Sequence, residues 1–394
     1  MDKKQQKNIP STDWRVYLIG LLVAELACVC VAQNPFPLVR SPGRPAVPPG
    51  IEYTHRRIGE KPWSIHILQI QRNPRRYTLT TTLAQDHIFG LQSLPDQIAN
   101  LPPAANRPVA AVNGDFFVIR EDPYQGDPLG LHIWRGQLVS EPKGTCFWID
   151  AMGQPRIGEV ESRMQVIFGE GRDLGIDLNQ ARPDDGAVLY SSALGQSTRT
   201  PDGIEYELEP IDPNDLPLKM GHDIETRIMA VLPGGDHPIK NDRLILSLGS
   251  KLTGPATQLQ AGQTVRLKLD ASVDLSGVQV AVGGGPILIQ DGQPRKWKGD
   301  QPRHPRTAIG FNNDHLFLVV VDGRQEDLSV GMSLPELAQL MKQLGCKEAL
   351  NLDGGGSSTL WLDGKIMNSP SDGRPRRIAN GLVVLESAHP EKTP

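Results

Sequence analysis

From Ile51 onward, apolar and polar residues alternate with a period of about two over short stretches. That spacing marks half-buried strands. It predicts strands at Ser64–Ile70, Tyr77–Leu83, Val109–Val112, Gly130–Trp134, Cys146–Ile149, Thr264–Leu269, Val278–Val282, Ile287–Ile289 and Leu316–Val321. Gly turns such as Arg135-Gly136-Gln137, Asp291-Gly292-Gln293 and Asp363-Gly364-Lys365 read as hairpin ends. The polar stretch Asp173–Pro233 resists parsing and reads as an excursion from the main sheet. One helical pattern stands out. Ser333 and Glu336 form a capping box, Pro335 sits in the first turn, and Leu337, Leu340, Met341 and Leu344 make a single apolar stripe that Gly345 ends. The helix lies between Leu316–Val321 and Ala349–Leu352, which predicts a right-handed crossover linking parallel strands. The expected fold class is α+β: a β-rich mixed sheet with a few helices, including one strand-helix-strand crossover near residues 315–353.

The polar residues cluster where these strands end. Leu316–Val321 runs into Asp322-Gly323, and Ala349–Leu352 into Asp353-Gly354-Gly355-Gly356. If the two strands are neighbours or next-but-one, their carboxylates stand at one sheet edge, roughly 5–10 Å apart by strand spacing. Such an edge is where α/β sheets build sites. Asn312-Asn313-Asp314 is a turn signal, so Thr307–Phe311 and His315–Val321 form a hairpin. Pairing 311 with 315 puts Arg306 opposite Val320 and His304 opposite Asp322. That register gathers His304, Arg306, Asp322 and Asp353. Val109–Val112 running into Asn113-Gly114-Asp115 has the same strand-then-polar-turn grammar and is expected at the same rim.

Composition excludes several classes. The chain carries 40 glycines and 34 prolines in 394 residues, a surplus of turn residues that argues against a helical bundle or coiled coil. The glycines have no three-residue period, which excludes collagen. With 41 basic against 45 acidic side chains, no strong field recruits nucleic acid or an anionic surface. The N-terminus does change the picture. Lys3, Lys4, Lys7 and Arg15 precede an apolar run from Val16 to Ala32 broken only by Glu25. Residues 1–32 therefore read as a signal peptide or, failing cleavage, a membrane anchor through 16–32. A lipoprotein reading at Cys28 is weak, because Glu25 stands where an aliphatic residue belongs. Residues 33–50 form a Pro-rich linker, 51–388 the folded domain and 389–394 a tail. The body is expected outside the cytoplasm. Cys146 and Cys346 alone remain in it, and their spacing does not say whether they pair.

The glycine motifs narrow the chemistry. Asp353-Gly354-Gly355-Gly356-Ser357-Ser358 lets a ligand approach the backbone, and its N–H groups form a possible anion nest. No Lys follows at Walker spacing and no G-x-S-x-G surrounds Ser357. Gly283-Gly284-Gly285-Pro286 lacks the dinucleotide fingerprint. The bland alternatives are a tight turn capped by Asp353, a conformational role for Gly283–Gly285, and a solvated basic turn at Arg303-His304-Pro305-Arg306. The nine histidines are scattered without an H-E-x-x-H, so a zinc site is poorly supported. No cofactor is expected, and spacing neither supports nor excludes a metal among Asp322, Asp353 and Asp372.

Five motifs in order carry a resemblance: Asn113-Gly114-Asp115-Phe116-Phe117, Gly284-Gly285-Pro286, Arg306-Thr307-Ala308-Ile309-Gly310, Val321-Asp322-Gly323-Arg324-Gln325 and Asn351 to Ser358. The chain resembles the phosphodiester glycosidase family over roughly residues 51–387, and Ser369–Asp372 with Arg376-Arg377 adds to the likeness. Asp115 is a departure, since many members carry a small residue there. The resemblance implies cleavage between a sugar's anomeric carbon and a phosphodiester oxygen, giving free sugar and a phosphomonoester. Bacterial members are often described only as exopolysaccharide-related, and the resemblance implies a glycan or sugar phosphodiester as the partner. An oxocarbenium-like transition state wants carboxylates beside the anomeric carbon, and Arg suits the phosphate. Asp353 is then the expected nucleophile or general base, Asp322 the second carboxylate and His304 a proton carrier or phosphate ligand. The expected binding set is Arg306, Asn113, Gly114, Asp115, Thr307, Gly354, Gly355, Gly356, Ser357 and, more weakly, Arg377. Phe116 and Phe117 offer the sugar an apolar wall, with core packing expected of at least one. Two alternatives remain: hydrolysis of ordinary glycosidic bonds in an envelope or exopolysaccharide, and a non-catalytic glycan-binding or assembly module.

Overall fold

Antiparallel pairing dominates, as short strands joined by tight glycine turns dictate. Arg135-Gly136, Asp291-Gly292 and Asp363-Gly364 each place two successive residues at positive φ, the conformation that matches strand twist in a two-residue hairpin. The computed structural model describes residues 47–387 except 60, 61, 73–75, 103–105, 170 and 253–257. The targeting segment 1–32, linker residues 33–46 and the tail 389–394 lie outside the described residues.

The sheet that carries the two Asp-Gly strand ends has seven strands. In spatial order they are Ile51–Ile58, Trp63–Gln71, His315–Val321, Arg306–Phe311, Glu348–Asn351, Ile287–Gln290 and Gln293–Pro294. Every neighbouring pair in it is antiparallel. The crossover helix forms at Leu334–Gln343 with the capping box intact, and Gly345 takes a φ of +80° just past its end. The strands on either side of the helix do run parallel to each other. They do not touch, because the hairpin strand Arg306–Phe311 lies between them and opposes both. A tight turn delivers that strand locally, so the longer crossover has to skip over it.

The α+β, mixed-sheet expectation is therefore corrected. The protein is mostly β, with two α-helices among the described residues, Leu94–Ala99 and Leu334–Gln343. The one parallel pairing between described strands joins Asp177–Leu178 to Ala187–Tyr190. The unparsed stretch falls in an eight-stranded sheet built from residues 165–269, whose apolar core around Tyr206, Leu246 and Leu267 also takes in Ile133, Leu138 and Trp148 from a neighbouring sheet.

Alternation along the seven-stranded sheet sets its two faces. Phe317, Val319 and Val321 pack with Leu337, Leu340 and Met341 of the crossover helix. Leu316, Leu318 and Val320 face the other way. They meet Val112, Leu360 and Leu382 of a five-stranded sheet and Phe147 and Val282 of another. The arrangement is a nearly closed barrel. One rim gathers the strand ends at Ser64, Asn113, Gly284, Val321, Asn351 and Gly381. A cavity of about 530 Å³ opens at the opposite ends of these strands, beside Ile70, Tyr77, Ile149, Val280 and Leu316. Asp322 and Asp353 lie at the first rim.

Candidate active site at the glycine rim

Asp353 leaves its strand held by the Asn113-Gly114 segment. Its N–H donates to the Gly114 carbonyl (3.0 Å), and its own carbonyl accepts Asn113 Nδ2 (2.6 Å). Asn113 Oδ1 accepts the Thr307 hydroxyl (2.7 Å) and the Thr359 N–H (3.1 Å). Asn113 and Thr307 are fully buried, so they fix the backbone of the site from beneath. Gly114 is needed for closeness: any Cβ there would collide with the Asn380 side chain. The Asp353 carboxylate itself is only partly buried and accepts the Gly354 N–H at 2.7 Å. Burial pushes its pKa up, against the Ser357 hydroxyl, the Gly354 N–H and the Arg376 charge, which pull it down. The Ser357 hydroxyl is buried beside it and reaches no partner at full hydrogen-bond geometry.

The glycine loop then turns beneath two arginines. Gly355 sits at a φ of +61°, and a Cβ there would lie 3.0 Å from an Arg324 guanidinium nitrogen. A Cβ at Gly356 would strike the guanidinium of Arg376 and the carboxylate of Asp372, which are paired at 2.9 Å. Only glycine leaves those cations directly over the loop's backbone. Arg324 is itself at positive φ (+59°) in the turn after Asp322. Its guanidinium lies 3.5 Å from His304 Nδ1. Burial, then the charges of Arg306 and Arg324, hold His304 below its ordinary pKa, so this imidazole stays neutral near pH 7.

The hairpin register differs from expectation by one residue. Phe311 pairs with Leu316, which places Arg306 opposite Val321 and Thr307 opposite Val320. A one-residue slip exchanges the faces. Arg306 therefore turns to the helix side and donates to the Met332 (2.9 Å) and Pro302 (3.0 Å) carbonyls. Thr307 takes the barrel side. His304 bridges Met332, not Asp322. Arg377 points away from the loop and donates to the Leu91 carbonyl (2.8 Å), while its neighbour Arg376 reaches the loop.

Asp322 is in a different situation from Asp353. It is 1% exposed, and both of its oxygens are saturated. Oδ2 accepts the Ser64 hydroxyl (2.8 Å) and His66 Nε2 (3.0 Å), and Oδ1 accepts the Ser369 N–H (2.8 Å) and Asn368 Nδ2 (3.2 Å). Burial pushes its pKa up, but the bonds and charge of His66, Ser64 and Ser369 together outweigh it and leave the group below the usual carboxylate range. An ionised carboxylate only accepts, so His66 Nε2 carries the proton facing Asp322, and Nδ1 lies 2.8 Å from the Tyr53 hydroxyl. Asn368 also donates to the Ser358 carbonyl (3.0 Å). Asp322 thus fastens the segment after the glycine loop to the sheet.

Asp115 is also tied. It is 3% exposed and accepts the N–H groups of Phe116 and Gly130, both at 2.7 Å. Burial carries its pKa to about 7, with the nearby Asp353 charge adding to the rise. It closes the base of a hairpin running from Phe116 to Leu129. Phe117 packs into the core with Leu94, Ala111 and Ile378, and Phe116 stays partly exposed. Cys146 and Cys346 are both buried and unpaired. Among the described residues no group of three or more His, Cys, Asp or Glu is arranged to hold a metal ion.

Sequence reading passed over Arg324 and Arg376, although both stand inside motifs it quoted. The available signal for Arg324 was its place directly after Asp322-Gly323, at a strand end. Ser64, His66 and Tyr53 carried no signal, because their role depends on pairing with a strand about 250 residues away.

Residues 228–385 match the phosphodiester glycosidase family model. Among curated proteins, the SPbeta prophage-derived uncharacterized protein YomE of Bacillus subtilis is 35% identical over 124 residues, 30% of this chain and 19% of that protein. N-acetylglucosamine-1-phosphodiester alpha-N-acetylglucosaminidase of Bos taurus is 32% identical over 130 residues, 28% of this chain and 24% of that protein. The match thus spans about a quarter or less of these relatives' length. A solved structure of a hypothetical protein from Synechocystis shares the fold, with a TM-score of 0.68 and 24% identity over 86% of this chain and 62% of the other. Among the described residues, no helix is long and apolar enough to cross a membrane.

Proposed function

Proceeding from residues 228–385 as phosphodiester glycosidase sequence, we propose that the protein hydrolyses a sugar-1-phosphodiester. Water would cleave the bond from the anomeric carbon to the phosphate oxygen. The sugar gains a hydroxyl, and the oxygen leaves on a phosphomonoester. The observation that carries this reading is the placing of a half-bonded carboxylate beside a glycine loop under two arginines. Asp353 has oxygen lone pairs left for chemistry, and its raised pKa makes the ionised form a stronger base. Arg324 and Arg376 stand where a phosphodiester lying on the Gly355–Gly356 backbone would carry its charge. Phosphate is a good leaving group, so charge stabilisation matters more than proton donation. His304, held neutral, accepts or passes a proton at its ring nitrogen.

The curated relative's name supports the substrate class: it acts on an N-acetylglucosamine-1-phosphodiester. The basic and then apolar segment up to Ala32 supports action outside the cytoplasm, on an envelope or extracellular glycan. The test is a screen of the chain's folded body against sugar-1-phosphodiesters and neutral envelope oligosaccharides, with products identified by mass. Release of free sugar and phosphomonoester is expected, and Asp353→Asn should abolish it. Turnover of neutral oligosaccharides alone would overturn the reading in favour of an ordinary glycosidase. Binding without any turnover would make the protein a glycan-binding module.

A further inference from the structure

The hairpin after Asp115 carries a carboxylate that the reaction described above leaves unused. Phe116 and Leu129 are joined through the Leu129 N–H and Phe116 carbonyl (2.9 Å), Phe117 bridges Pro128, and the Val118 N–H meets the Asp127 carbonyl (2.9 Å). Phe117 faces the core. Strand alternation then puts Phe116, Val118, Asp127 and Leu129 on the opposite face. Asp127 is 8% exposed, yet among the described residues its carboxylate accepts no hydrogen bond. Its oxygens stay within reach of water at the rim and are open to accept a hydroxyl from a bound ligand in place of water.

The surroundings indicate what that partner is. Burial pushes Asp127 up to about 7, with Lys143 opposing and Asp115, Asp122 and Glu141 adding to the rise. Lys143 reaches Glu141 (3.4 Å) and Gln180, and its backbone passes beside Gly130 and Asp115. This side of the rim is rich in carboxylates around one ammonium, which repels phosphate. It also carries a partly exposed Phe116 and a Leu129 that is 51% exposed. Carboxylates and an ammonium that bond hydroxyl groups, beside an apolar wall for C–H faces, suit a polyhydroxylated ring. Asp353 feels the Arg376 charge and also neighbours Asp115, the residue at the base of this hairpin.

Resting on the proposed phosphodiester reaction, we propose that the face of the Phe116–Leu129 hairpin bearing Asp127 is the sugar subsite. The substrate then lies across Asp353 with its sugar toward Asp127 and Lys143 and its phosphate toward Arg324 and Arg376. Asp127 accepts a sugar hydroxyl and is a specificity-determining residue.

Product binding separates the two halves. N-acetylglucosamine and inorganic phosphate are titrated separately into the wild-type chain and the variants Asp127→Ala, Asp127→Asn and Arg376→Ala. Asp127→Ala should weaken sugar binding about tenfold or more, the scale of one charge-assisted hydrogen bond, and leave phosphate binding within about twofold. Arg376→Ala should do the reverse. Asp127→Asn, equal in shape, keeps the test open if the alanine variant does not fold, and should weaken sugar binding by a smaller factor. Unchanged sugar binding in both Asp127 variants, or parallel loss of sugar and phosphate binding, overturns the subsite. Absence of sugar binding by the wild-type chain overturns it too. Asp127-dependent sugar binding without phosphodiester turnover would leave the subsite standing and remove the proposed reaction. Turnover that ignores Asp127 would do the opposite.

Discussion

Asp322 and Asp353 hold the same position in sequence grammar and opposite positions in chemistry. Each ends a strand flanking Arg306–Phe311, and each is followed by glycine. Asp322 accepts four hydrogen bonds and is held below the usual carboxylate range. Asp353 accepts one backbone N–H and is raised by burial. What separates the two carboxylates here is the number of donors that reach each. A saturated carboxylate stabilises the fold and has no lone pair to offer a substrate. An under-bonded one is costlier to keep ionised and freer to react.

The sharpest test of that contrast is Asp353→Asn. Turnover should fall about 10³-fold or more while the thermal midpoint stays level or rises, because a carboxylate that its surroundings make costly to ionise is removed. A variant that keeps near-wild-type turnover would end the comparison. Asp322→Ala should show the reverse emphasis. It leaves His66 buried without its carboxylate and unties Ser369, so urea denaturation should report a loss of about 3–5 kcal/mol. A loss under about 1 kcal/mol would mean that the four bonds do not anchor this rim.

Their pH dependences should also differ in sign. The folded pKa of Asp322 lies below its unfolded value, so its contribution is full above that value, near 3.8, and is lost as pH falls through the folded pKa. Asp353 is raised, so its contribution is full below its unfolded value and is lost as pH rises through the folded pKa. Asp322→Asn should therefore give a shallower acid limb in stability than wild type. Asp353→Asn should lift stability at neutral pH relative to acid. Urea midpoints taken from pH 3 to pH 8 read both. The smallest effect expected is that of Gly355→Ala. Its left-handed backbone costs a side chain about 1–2 kcal/mol, and its Cβ crowds Arg324, so phosphodiester KM should rise with little change in the turnover of bound substrate.

Much of this rim was legible beforehand. Asn113, Thr307, Asp353 and the three glycines do converge, because strand ends and tight turns are local signals. The capping box of the crossover helix formed for the same reason. What escaped was register. The Asn312 N–H donates to the His315 carbonyl (3.0 Å), and Asn312 Oδ1 takes the N–H groups of Asp314 and His315, so the turn is one residue shorter than the pairing of 311 with 315 assumed. That single residue sent Arg306 to the helix face and Thr307 into the barrel. The same parity separates Arg377, bound to the Leu91 carbonyl, from Arg376, which stands over the loop.

The sequence by itself determined the strand-rich grammar, the helix with its caps and the glycine motifs at strand ends. Each depends on residues within a few positions of one another. It also carried the likeness to phosphodiester glycosidases. Only the tertiary structure decided that the sheets are antiparallel throughout the site-bearing layer, and that Asp322 is an anchor. It alone placed Arg324 and Arg376 over the glycine loop that follows Asp353. Those outcomes depend on which donors reach a carboxylate from strands some 250 residues away, and on a face assignment that one residue of slip reverses.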